Sequence, residues 1–294
     1  MVQRMGVLLS AGIAPVTGWA YLAEATRGSA GARQVSDAAS RGDSIVEALV
    51  AVAVANPATA PAWRGLAAAW LVATTAGAPL AATLAEFAGS LRSLAKNQRD
   101  LDTALAGPRA TALMVLLLPV AGILFGAALG FDSLRILFGT PIGLSCLTAG
   151  IALMLVALWW NRLLLRRARP TNLTPGLTLD LMAIALSGGA SQPRAQLAVS
   201  DARKRCSLDG EDSGDQTIAE LLALSSRAGI PAAALLRSEA AEARRAASSA
   251  GERTAATLAV TLMLPLGLCV LPAFMLLGVA PLVISIVSST ATGL

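Results

Sequence analysis

The sequence has no histidine, which removes a histidine-ligated zinc site, a Ser-His-Asp triad and a Cys-His pair. Charge is also scarce: 14% of the 294 residues are charged, against about 25% in an average soluble domain. Lysine occurs only at Lys96 and Lys204. In so alanine-rich a chain, the preference for arginine reads as a GC-rich genome rather than a binding adaptation. The three cysteines are scattered, with Cys146 and Cys269 in apolar runs and Cys206 in a polar stretch. An odd number without motif spacing argues against a disulfide framework or metal cluster, and they read as small buried hydrophobes plus one exposed thiol. No run alternates apolar and polar residues with β-branched enrichment, so no strands are expected.

What is present is apolar. Hydrophobic residues make up 55% of the chain and the mean hydropathy is +0.65, the profile of a membrane protein. Residues 111–131, TALMVLLLPVAGILFGAALGF, carry no charge and match the roughly 20 residues a helix needs to cross a bilayer. Residues 140–160 are again uncharged and end on Trp159 and Trp160, where an interfacial aromatic anchor belongs. Residues 254–294 also lack charge, with Pro265, Pro272 and Pro281 breaking the run; one kinked span is expected, a hairpin being the alternative.

The arginines locate these spans. Arg92, Lys96, Arg99 and Arg109 precede the first, Arg162, Arg166, Arg167 and Arg169 follow the second, and Arg244, Arg245 and Arg253 precede the third. If the first two spans form a hairpin, all three clusters share one side, and the positive-inside rule makes it cytoplasmic. The net charge of +5 is then mostly a topology signal, not a nucleic-acid surface. No cleavable signal peptide is evident, and the amino terminus is expected in the cytoplasm.

Between the spans lie polar, helical regions. Leu84, Phe87, Leu91, Leu94, Leu101 and Leu105 recur at helical spacing with charges between them. The stretch AGAPLAATL, with Gly77 and Pro79, returns as AGIPAAALL, with Gly229 and Pro231. Each glycine suits the left-handed position that closes a helix and each proline the first turn of the next, so each joint reads as a tight turn between antiparallel helices. Looser relatives, SAGIAP (Ser10 to Pro15) and SGGASQP (Ser187 to Pro193), open each region. The simplest account is an internal duplication of a helical bundle followed by a membrane span.

Motifs that would carry chemistry are weak. GSAGAR, Gly28 to Arg33, lacks the Lys and Ser/Thr of a P-loop. Gly42-Asp43-Ser44 reads as a helix N-cap rather than a nucleophile. LDGEDSGD, from Leu208 to Asp215, clusters Asp209, Glu211, Asp212 and Asp215 without the order of a calcium loop, and reads as a solvated acidic linker. The spans hold no charged residue for an ion or proton path. No catalytic, cofactor-binding or metal-ligating residue is assigned, and no cofactor is expected.

The stretches LAAAWLVATTAGAPLAATLAEFAGSLRS, LAGPRATALMVLLLPVAGILFGAALG and LFGTPIGLSCLTAGIALMLVALWW resemble the B-type inner-membrane protein of tight-adherence (Tad, or Flp) pilus systems in its actinobacterial version. DLMAIALSGGAS and LSSRAGIPAAALLRSEAAEARRAASSAGERTAATLAVTLMLPLGLCVLPAFMLLGVAPLV resemble the C-type partner. Both types belong to the type II secretion F-domain family. The resemblance implies an oligomeric, non-enzymatic inner-membrane platform that couples a separate cytoplasmic ATPase to pilin assembly or export. The implied partners are that ATPase, pilin subunits and the bilayer, without direct nucleic-acid binding.

The expected fold is an all-α membrane protein with two cytoplasmic helical bundles and three, possibly four, transmembrane helices. The domains are residues 1–110 (first bundle), 111–165 (transmembrane hairpin), 166–253 (second bundle) and 254–294 (carboxy-terminal transmembrane segment). A permease or transporter subunit is the alternative reading, motivated by multiple spans rich in glycine and proline.

Overall fold

The spacing of apolar residues and the residues at the joints account for most helix boundaries, and every regular element among the described residues is helical. The computed structural model describes residues 1–26, 29–93, 95–96, 99, 103, 114, 117, 121, 124, 138–167, 175–208, 214–281 and 283–284. In chain order the helices are α1 (Val2–Ser10), α2 (Pro15–Ala25), α3 (Ala30–Ser40), α4 (Ile45–Ala55), α5 (Ala60–Ala76), α6 (80–93), α7 (Pro141–Arg167), α8 (Leu177–Ser187), α9 (Gln192–Arg205), α10 (Asp215–Ala228) and α11 (Ala232–Thr261). Beyond α11 the chain stays largely helical through Met263–Pro265, a π turn at Leu266–Val270, Leu271–Phe274 and a second π turn at Met275–Val279. Most of the expected first span, 111–131, lies outside the described residues.

Local chemistry explains the starts and stops. Pro15 opens α2 at its first turn, where a missing N–H costs nothing. The Ser29 hydroxyl accepts from the Ala32 N–H at 3.3 Å and caps α3, so part of the GSAGAR stretch is a helix start. Ser44 caps α4 in the same way, its hydroxyl accepting from the Glu47 N–H at 3.4 Å. The Gly42-Asp43-Ser44 segment is therefore the expected N-cap. Gly77 and Gly229 close α5 and α10 in the left-handed conformation, at φ 72° and 67°. The prolines that follow sit one position earlier than expected. Pro79 and Pro231 precede the first helical residue and supply the first carbonyl acceptor, for Thr83 at 3.1 Å and for Leu235 at 3.4 Å.

Residues 1–98 and 171–249 form one compact unit. The two polar regions, read from the sequence as one bundle each, contribute to the same apolar core: Trp19, Leu22, Leu49 and Leu84 from the first lie in one cluster with Leu181, Met182, Val199 and Leu236 from the second. Burying each such side chain contributes about 1.5–3 kcal/mol. Helix α5 packs against α4, α8 and α9. Its run of Ala67, Ala68 and Ala69 is fully buried, and the small side chains let neighbours approach closely. Helix α8 is buried at eight positions, and a helix apolar on nearly every side belongs inside a core.

Cys206 departs from expectation. It is fully buried, although it follows Arg203, Lys204 and Arg205. Position 206 continues the inward stripe of Ala195, Val199 and Ala202 at helical spacing, while Lys204 and Arg205 are exposed and Arg203 is half-buried at the edge of the stripe.

Residues 99–170 and 250–294 form the second unit. Two helical stretches among the described residues are long and apolar enough to cross a membrane: residues Pro141–Leu164 and Ala232–Val279. Within the second unit α7 packs against the carboxy-terminal helical run. Its buried positions, Gly143, Gly150 and Ala157, recur every seven residues, so the smallest side chains form the seam. A Cβ on Gly150 would lie 2.5 Å from Leu277 Cγ. Ile142, Leu144, Ile151, Leu155 and Trp159 point outward and exposed, as side chains facing lipid would.

The facing stripe in the carboxy-terminal run recurs every four residues: Pro265, Cys269, Ala273, Leu277 and Pro281 are all buried. In an uninterrupted α-helix Pro281 would lie about 160° round from Pro265. Each π turn adds one residue and sets the phase back by about 100°, so two of them keep the stripe on one face to within about 40°. Both π turns end two residues before a proline, Pro272 and Pro281. A proline lacks the N–H and crowds the carbonyl four residues back, and a widened turn relieves both problems. The run remains helical past Pro272, the prolines being accommodated by the π turns without reversing the chain among the described residues.

Candidate functional site

The residues singled out in the sequence do not converge. Ser29 and Ser44 are caps, and Gly77 and Gly229 are helix ends. Burial pushes the Cys206 thiol up to about 11, which keeps it protonated and unreactive at neutral pH. Of the acidic run, Asp209, Glu211 and Asp212 lie outside the described residues, and Asp215 begins α10. Among the described residues no three His, Cys, Asp or Glu side chains gather as a metal site would require.

The structure instead brings together charged residues that are far apart in sequence. A cleft of about 550 Å³ opens between α6, α8 and α11. The α6 wall carries Glu86, Phe87, Gly89, Ser90 and Ser93. Asp180 and Ile184 of α8 line the cleft beside them. Arg237, Arg244, Arg245 and Ser248 come from α11. Spacings of seven and four residues, 237 to 244 to 248, place these side chains along one face of α11.

At the inner end of the cleft, Arg244 Nη1 donates to Asp180 Oδ2 at 2.7 Å, and Ser90 Oγ donates to the same oxygen at 3.3 Å. Both partners of the ion pair are largely enclosed, at 14% and 15% side-chain exposure. Burial pushes the Asp180 carboxyl above its ordinary range, and the Arg244 charge with the Arg244 and Ser90 hydrogen bonds pulls it part of the way back. Nearer solvent, Arg237 Nε donates to Glu86 Oε2 at 2.9 Å and its Nη2 donates to Ser187 Oγ at 2.9 Å. Arg245 donates from Nε and Nη2 to Glu242 on its own helix, at 3.0 and 2.6 Å. These contacts tie α6 and α8 to α11. They line the cleft with guanidinium and carboxylate groups held in place by one another.

One signal for this site was readable in the sequence. Asp180 is the lone charge in LTLDLMAIALS, and a carboxylate within so apolar a helix needs a partner when it is buried. The partner, Arg244, is 64 residues away, and nothing local identifies it.

Among the described residues every regular element is helical, and two helical stretches are long and apolar enough to cross a bilayer. The amino-terminal part is placed more narrowly, because residues 1–127 match the family model of type II secretion system (T2SS) protein F. That stretch is similar to the F-domain family its motifs resemble. No curated protein and no solved structure matches the chain.

Proposed function

We propose that the chain is an inner-membrane platform of a Tad/Flp-type pilus or type II-like secretion machine, coupling a cytoplasmic ATPase to pilin assembly or export and carrying no catalysis of its own. The observation that carries this reading is the protein F match over residues 1–127. It includes the helices of the first polar region and most of the first apolar stretch.

The shared core supports the topology. Residues 1–98 and 171–249 pack into one unit, and two stretches with a common core lie on one side of a membrane. The chain between them then crosses an even number of times. Helix α7 accounts for one crossing, and the uncharged stretch 111–131 is the natural second. With the arginine clusters at the span ends, the shared unit and the amino terminus lie in the cytoplasm, where a motor is available. The carboxy-terminal run then crosses once more, giving three spans.

Deletion of the chain should abolish surface pili or export of the substrate, and the tagged chain should co-purify with a cytoplasmic ATPase. Unchanged piliation and export in the deletion strain would overturn the reading. Labelling of single cysteines at Ser40 and Ser200 from the same side of intact cells tests the topology separately.

A further inference from the structure

A groove of about 350 Å³ runs between α1, α5 and α6, within the unit of residues 1–98 and 171–249. Its floor is apolar, with Val2, Trp63, Leu66, Ala88 and Leu91, and the charged side chain that lines it is Arg92. We propose that this groove holds an anionic phospholipid, an acyl chain on the apolar floor and the phosphate against Arg92 and Lys96. The inference rests on the membrane placement given above and not on the pilus or secretion role.

The cations at this groove are not neutralised by neighbouring acids. Arg92 donates from Nε to the Ala88 carbonyl of its own helix at 3.2 Å, and no carboxylate among the described residues pairs with it. Lys96 follows four residues later, so it lies on the same helix face, and it is exposed. Helices α1 and α5 have no Asp or Glu, while each carries an arginine, Arg4 and Arg64. The one carboxylate of α6, Glu86, is held by Arg237 in the other cleft. The three walls therefore present free charge of one sign, and an anion is its complement. A guanidinium fork suits phosphate in particular, because its donors match the spacing of two phosphate oxygens.

The floor separates a phospholipid from a free phosphate. Trp63 and Leu91 are only half-buried, above the buried Leu66 and Ala88, so apolar surface stands open in the groove. A free phosphate would leave that surface wet, whereas an acyl chain removes it from water. Ala95, at the rim, precedes the uncharged stretch beginning at Thr111 by sixteen residues. A tether of that length reaches at most about 55 Å when fully extended. It keeps the groove close to the bilayer surface, where lipid is concentrated and even a weak site fills. The same tether favours lipid over an acidic protein segment, which would have to arrive from solution.

The test reconstitutes the full chain in phosphatidylcholine vesicles containing phosphatidylglycerol with a photoreactive diazirine on one acyl chain. After illumination, label should appear on the peptides carrying Trp63 or Leu91 as well as on α7, which serves as the internal reference. Arg92→Gln should lower the ratio of groove label to α7 label about fivefold. Ala62→Phe fills the groove without changing charge and should also suppress that ratio, circular dichroism confirming that the helices persist. Moving the diazirine to phosphatidylcholine should leave α7 labelled and the groove bare. Equal groove labelling from the two lipids, displacement by inorganic phosphate, or indifference to both variants would overturn the proposal. So would capture of a polypeptide in place of lipid by benzoylphenylalanine at position 91 in cells. Label on α7 but not in the groove defeats this proposal alone, and label on neither defeats the membrane placement with it.

Discussion

Gly77 and Gly229 end their helices in nearly the same conformation, at φ 72°, ψ 21° and φ 67°, ψ 23°, each N–H bonding the carbonyl four residues back. Each is followed by one residue and a proline. Their surroundings differ. At the first joint Ala78 is buried, and the end of α8 lies against it, so that a Cβ on Gly188 would come 2.8 Å from the Ala78 nitrogen. At the second joint Gly229, Ile230 and Pro231 are all exposed, and a Cβ on Gly229 would meet nothing within 4 Å. Nine residues of sequence determine the backbone of the turn. Whether the turn is packed depends on a helix end more than a hundred residues away.

The largest expected effect breaks that packing. Gly188→Val should cost about 3 kcal/mol, because backbone on the facing joint cannot give way as a side chain does. Gly229→Val should cost about 1–2 kcal/mol, from conformational strain alone. Equal losses in denaturant unfolding of the detergent-solubilised chain would erase the distinction. Leu181→Ala, in the fully buried middle of α8, should cost about 3 kcal/mol. Because the two polar regions share a core, it should also raise protease cleavage between residues 1 and 98. Cleavage confined to 171–249 would instead indicate two separate bundles.

The joints, the cap at Ser44, the apolar stretch inside α7 and the F-domain motifs were legible because each is local. Periodicity, turn chemistry and charge at span ends need no knowledge of distant contacts. The single core of the unit formed by residues 1–98 and 171–249 was not legible. Alanine-rich helices such as α5 are buried on most sides and leave only a weak stripe to show which neighbour they meet. Cys206 was misread for a related reason: its neighbours in sequence are cations, but its neighbours on the helix face are Ala195, Val199 and Ala202. The cleft draws on residues 86 to 248 and exists only once the two regions pack together.

The same comparison applies to ion pairs. Asp180–Arg244, at 2.7 Å, is largely enclosed, while Arg41–Asp43, at 3.0 Å, is more than half exposed on both sides. Arg244→Ala leaves a buried carboxylate without its cation and should cost about 2–3 kcal/mol. Arg41→Ala should change stability by less than about 0.5 kcal/mol. Below that difference lies a null test of the joints: Gly77→Ala and Gly229→Ala should each cost about 1 kcal/mol. A single methyl group reports only the shared φ, since a Cβ on Gly77 would have no neighbour closer than the Gly188 carbonyl at 4.0 Å. A clear excess at Gly77 would mean that its joint is tighter than it appears.

The smallest effect is in pH dependence, and its sign is unusual for a paired aspartate. In most ion pairs the folded state lowers the carboxyl pKa, and stability falls on acidification. Asp180 is raised instead, because burial outweighs the attraction of Arg244. The folded protein then holds this proton more tightly than the unfolded chain does. The contribution is fully present below the unfolded value near 3.8 and is lost as pH rises through the higher folded value. Unfolding free energies of the wild type and Asp180→Asn, measured from pH 7 down to about 4, should therefore diverge in the wild type's favour on acidification, the asparagine cancelling every other titration. A difference moving the other way would mean that Arg244 dominates and that the inner end of the cleft is wetter than its 14% and 15% exposures imply.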